Sequence, residues 1–69
     1  MNRDRGAGLL PFAVELRPAP GPARVVGRAA TLVLARAILA AARIDYPGVR
    51  LVLRRGEALI EDIDRPAST

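Results

Sequence analysis

Four acids crowd the C-terminal part of this chain: Glu57, Glu61, Asp62 and Asp64 fall within eight residues. Carboxylates at such spacing are what a hard-cation site or a paired general acid and base would need. The rest of the sequence gives that chemistry no support. Its 69 residues include no His and no Cys, so the usual neutral-pH proton carrier and the thiolate ligands are missing. The hydroxyls are Thr31, Tyr46, Ser68 and Thr69, and none has a histidine to activate it. No Gly-rich phosphate loop occurs. Acids interleaved with Arg50, Arg54, Arg55 and Arg65 read instead as a solvated strand end with its own ion-pair partners. The expectation is a protein with no catalytic residue, no metal and no cofactor.

The second chemistry on offer is cationic. All 11 positive charges are Arg, and the formal net charge is +4. Lys is absent while Ala, Pro and Gly abound, a pattern of GC-rich coding, so the arginine count alone carries little function. Their placement says more. Residues 1–43 carry a net +5 and residues 44–69 a net −1, so the basic excess belongs to the N-terminal half. There Arg24, Arg28, Arg36 and Arg43 fall on one side of a predicted helix, with Leu32 and Leu39 seven residues apart among them. Guanidinium groups pair bidentately with carboxylates and phosphates. Leucines between them suit a protein groove better than a nucleic-acid backbone. The expected partner-binding set is therefore Arg24, Arg28, Leu32, Arg36, Leu39 and Arg43, facing a protein with an acidic surface. Nucleic acid bound through the helix arginines is the alternative, although no aromatic platform accompanies them.

These residues need elements to position them. "PFAVELR" alternates, with Phe12, Val14 and Leu16 on one side, and reads as a half-buried strand. "PAPGPA" breaks it. The stretch Ala23 to Ile44 is rich in helix formers. At 100° per residue its broad apolar half holds Val26, Ala29, Ala30, Val33, Leu34, Ala37, Ile38, Ala40, Ala41 and Ile44, the expected core face. Gly27 within it signals close backbone packing. "DYPG" ends the helix. Val49–Arg55 and Glu57–Ile63 then form a hairpin around Arg55-Gly56, in a register that sets Arg54 opposite Glu57, Val52 opposite Leu59 and Arg50 opposite Glu61. Val52 and Leu59 make a small outer apolar pair, which with Arg55 at the turn and Tyr46 after the helix forms a secondary interface able to support homodimerisation.

The fold expected is α+β: a β-α-β-β domain at residues 9–65, one long amphipathic helix on a three-stranded sheet, with tails at 1–8 and 66–69. Its first two strands would be parallel neighbours through a right-handed crossover, or its first strand antiparallel beside its last. The order resembles that of dodecin-like small flavin binders in topology alone, since no Trp is present to stack a flavin. The longest apolar stretch is interrupted by Arg36 and Arg43, so no membrane span and a cytoplasmic location are expected. A single small domain without catalytic groups suits an inhibitor or modulator that masks a surface of a larger complex. Phages and mobile elements carry such proteins, anti-CRISPR proteins among them.

Overall fold

The computed structural model describes residues 10–63. The expected tails at 1–8 and 66–69, and the outermost residues of the expected domain, lie outside the described residues. Strand β1 spans Phe12–Arg17, β2 Arg24–Ala29, helix α1 Leu32–Asp45, β3 Arg50–Arg55 and β4 Ala58–Ile63. The class is α+β, but the sheet has four strands, in the order β2-β1-β3-β4, and all neighbours are antiparallel. The chain order is thus β-β-α-β-β instead of β-α-β-β, and the likeness to dodecin-like topology does not hold. β1 lies antiparallel beside β3, which replaces both arrangements expected from the sequence.

The added strand comes from residues expected to be helical. Arg24–Ala29 carries the β-branched pair Val25 and Val26 and then Gly27, all weak helix formers. The proline-rich segment before it, with Gly21 at φ 135°, turns the chain back so that β2 pairs with β1. The helix starts only after Thr31, whose hydroxyl oxygen accepts a hydrogen bond from the Leu34 amide at 3.2 Å. It stops at Tyr46, whose amide donates to the Ala42 carbonyl at 2.8 Å, with Pro47 following.

This shorter helix is turned by nearly half a revolution from the expected orientation. Its 14 residues carry two apolar stripes, each at heptad-like spacing. Leu32, Ala35, Leu39 and Ala42 face the sheet, where Ala35, Leu39 and Ala42 are buried with Val14, Leu16, Ala29, Leu51 and Leu53. Val33, Ala37, Ala40 and Ile44 face outward and are exposed. Alanines on the inner stripe and Gly27 on β2 bring the helix close to the sheet. A Cβ built on Gly27 would stand 2.7 Å from Ile38 Cγ2, inside any real contact distance. Because Ile38 is branched at Cβ, that methyl has no free rotation by which to withdraw.

The β3–β4 hairpin also differs in register. Arg55 pairs with Ala58, so Gly56 and Glu57 form the turn, in place of Arg55 and Gly56. Gly56 has φ 59° and among the described residues no non-glycine has positive φ, the pattern of a Gly-first II′ turn. The register then slips between Leu53 and Arg54, leaving Ile60 as the extra residue of a bulge. Beyond it Glu61 faces Leu53, Asp62 faces Val52 and Ile63 faces Leu51. The bulge therefore brings Glu61 to the helix side of the sheet and Asp62 to the other side.

If Gly27 is there to admit Ile38, Gly27→Ala should destabilise the fold by about 1–3 kcal/mol through overpacking. Combined with Ile38→Ala, the cost should fall short of the sum of the two single changes by about 1 kcal/mol. Urea unfolding of the four proteins of this cycle measures both effects. Additive energies would show that Gly27 has no such role.

Candidate partner-binding surface

The six residues expected to share one side of a single helix are distributed over two elements. Arg24 and Arg28 lie on β2, and Leu32, Arg36, Leu39 and Arg43 on α1. Leu39 is buried in the core and Leu32 packs against it, so the leucines are not outward anchors. The reason is the rotated helix, which uses the Leu32–Leu39 stripe for the sheet. Arg36 and Arg43 remain exposed on the flank of α1. Arg36 reaches β4, where its Nε donates to Glu61 Oε2 at 2.7 Å.

The secondary set is also rearranged. Val52 is fully buried, although it lies on the sheet face away from the helix. Its neighbours there are Arg50 and Arg54 along β3, Glu15 on β1 and Asp62 on β4. Arg54 bonds Glu15 at 3.0 Å and Arg50 bonds Asp62 at 2.6 Å, so two cross-strand ion pairs frame the valine. These replace the expected pairs of Arg54 with Glu57 and of Arg50 with Glu61, because the turn and bulge move every acid of β4. Leu59 faces Arg54 instead of Val52 and is half exposed. The Arg55 guanidinium stands 5.6 Å from the centre of the Phe12 ring, a cation–π contact. Tyr46 is half-buried against the core.

Glu15 is the most enclosed charge of the outer sheet face, with 8% of its surface accessible. Arg54 and Arg17 both donate to it, at 3.1 Å and 2.9 Å. The hydrogen bond from Arg54 holds its carboxyl below the ordinary value of 4.5, against the opposing effect of burial and with further help from Arg17. Asp62 is lowered likewise by its hydrogen bond from Arg50. On this face Glu15, Arg17, Arg54, Arg50 and Asp62 answer one another, while Arg28, set beside Ala13 by the register, forms no ion pair among the described residues.

The free surface is elsewhere. Val33 is 78% exposed, Ile44 79% and Leu34 55%, and with Ala37, Ala40 and Ala41 they make the outward side of α1 apolar over its whole length. Residues 33, 37, 40 and 44 repeat at spacings of 4, 3 and 4, which is a seam for another helix or a groove. Between α1 and β2 the seam widens into a shallow groove of about 460 Å³ lined by Ala29, Leu34, Ala37, Ile38 and Ala41, with Arg28 at its edge. Arg24, Arg28 and Arg43 form no ion pair among the described residues. Arg43 borders the apolar surface on the flank of α1, and Arg28 meets it only at the β2 edge of the groove, since the register sets Arg28 beside Ala13 on the sheet face away from the helix. Sequence reasoning assigned Val33, Ala37, Ala40 and Ile44 to the core. The signal that distinguishes them is the presence of two heptad stripes where a helix packed on one side needs one.

Among the described residues no group of three or more His, Cys, Asp or Glu side chains is placed to hold a metal ion, and no helix is long and apolar enough to cross a membrane. What the exposed surface offers, among the described residues, is an apolar strip with a cationic border. Comparison with protein-family models, with curated proteins and with solved structures finds no match to this chain.

The Glu15 clamp sets a pH dependence. Because its folded pKa is depressed, its contribution is complete above 4.5, its ordinary value, and is lost as pH falls through the lower folded value. Glu15→Gln should cost about 1–3 kcal/mol at pH 7, and the gap from wild type should shrink over a window that runs from pH 7 to well below the ordinary value of 4.5. Urea unfolding at both ends of that window measures it. A gap independent of pH would mean that the clamp does not depend on the charge of Glu15.

Proposed function

We propose that this chain is a small non-enzymatic binding protein that occupies a surface of a larger protein with the outward side of α1. The observation that supports it is the exposure of Val33 and Ile44, at 78% and 79%, on the side of the helix opposite the core. A helix that is apolar on both sides is ordinarily covered on both. Burying a Val or Ile side chain is worth roughly 1.5–3 kcal/mol, so these residues, with Leu34, are the natural anchors. Arg43 on the flank of α1 and Arg28 at the β2 edge of the groove ask for acids around the partner's groove, which steers encounter and fixes orientation. The partner is therefore a protein with an apolar groove and an acidic rim.

Masking such a groove is the action of an inhibitor or modulator in the cytoplasm. Small single-domain inhibitors carried by phages and mobile elements, anti-CRISPR proteins included, are the class we assign it to. Nucleic-acid binding is the less favoured reading. Its best support, the arginines without ion-pair partners, is spread over β2 and α1 instead of following one phosphate track. Association of two copies through the same apolar side would bring like-charged flanks together in a chain of net charge +4.

The test is a pair of substitutions on the outer side, Val33→Glu with Ala37→Glu. Both sites are exposed, and a Glu near the helix N-terminus is favoured by the dipole, so the fold should hold by circular dichroism. Affinity capture from the native cell, with mass spectrometry, should recover a protein with wild type that the double variant loses. With that protein purified, affinity should drop about 100-fold, equivalent to roughly 2.7 kcal/mol. Recovery of nucleic acid released by salt, or of the same protein by both forms, would contradict the proposal.

A further inference from the structure

At the C-terminal end of α1 the apolar surface dips into a hollow of about 440 Å³. Its walls include Ala40, Arg43 and Ile44 of the helix, with Val49, Leu51 and Ile63 from the sheet side. That volume lies within the ~300–1,000 Å³ typical of ligand-binding hollows. Leu51 is almost fully buried, so the floor belongs to the core and is rigid. Ala40 and Ile44 also belong to the outward stripe, so a segment lying along α1 runs directly over the mouth. Among the described residues no acid lines the hollow, and Arg43 is the cation that does. Arg43 has no ion-pair partner among the described residues. It also offsets the negative C-terminal end of α1, which by itself would repel a carboxylate.

From this geometry, and resting on the binding function proposed above, we infer that the hollow is the anchor pocket for the partner: it takes a bulky apolar side chain whose neighbouring residue is acidic. The side chain fills the space above Leu51, Val49 and Ile63, and the adjacent carboxylate pairs with the Arg43 guanidinium. An aromatic residue suits best, because it buries much area at little cost in side-chain freedom. The pairing also selects sequence, since an apolar residue beside a cation or an amide leaves Arg43 without a counter-charge.

The isolated domain suffices to test this by ¹⁵N NMR titration with two probes, acetyl-Phe-Glu-amide and acetyl-Phe-Gln-amide. The acidic probe should shift the amides of Ala40, Ile44, Val49 and Ile63 in a saturable way. It should bind about fivefold tighter than the amide probe, the size of one exposed ion pair. Arg43→Ala should abolish that difference, and Ala40→Phe should close the mouth to both probes while the circular dichroism spectrum stays unchanged. Shifts scattered over the surface, or equal affinity of the two probes for wild type, would overturn the assignment. The double variant Val33→Glu with Ala37→Glu lies outside the hollow and should bind the probes as wild type does. Loss of partner capture by that variant without probe binding to wild type overturns the anchor pocket alone. Probe binding with capture undiminished supports the pocket and removes only the outer-face proposal.

Discussion

One 14-residue helix has to cover one face of a four-stranded sheet, and most of this structure follows from how it does so. A helix of that length is about 21 Å long. It covers strands set ~4.8 Å apart only by lying close over the middle of the sheet. Closeness is supplied by small residues, Ala35 and Ala42 on the helix and Gly27 on β2, with Ile38 filling the place where the Gly27 side chain would be. Leu32 and Leu39 supply the inner volume, and the remaining large apolar residues of α1 are left outside. The exposed stripe is the consequence of a core that has room for only one side of its helix.

The rest of the same sheet surface is covered by charge instead of apolar groups. On the helix side, Glu61 of β4 is met by Arg36 reaching across from α1. On the far side, Glu15 draws in Arg17 and Arg54, and Asp62 draws in Arg50. Ion pairs as exposed as those of Arg36 and Arg50 contribute little stability singly, but they consume arginines that otherwise suggest a phosphate-binding surface. The basic excess that remains unpaired on α1 and β2 borders the apolar stripe and gives it a preference for acidic surroundings.

Much of this was legible in the sequence. The alternation of Phe12, Val14 and Leu16 marks β1, Pro47-Gly48 ends the helix, Leu51 and Leu53 face the core, and Gly27 does mark a close approach. Three features were not. Arg24–Ala29 continues without a break into helix formers, so the weak helix propensity of Val25, Val26 and Gly27 becomes a strand only through pairing with β1. The orientation of α1 was ambiguous because both stripes are apolar. The wider one looks like a core face, yet the Leu-and-Ala stripe packs better on a sheet approached closely. The hairpin register turned on one glycine. With Gly56 first in the turn and Ile60 bulged, every acid of β4 moves to a new partner, which cross-strand charge matching alone does not reveal.

The central claim is that Val33 and Ile44 lie outside the fold and are covered by a partner. Because the chain has no cysteine, single replacements Val33→Cys, Ile44→Cys and Leu39→Cys report their own accessibility through their rate of reaction with a thiol reagent. In the isolated protein the first two should react as fast as a free thiol, and the third only after unfolding. In the partner complex all three should be protected. Slow labelling at positions 33 and 44 in the isolated chain, or undiminished labelling there in the complex, would contradict the account.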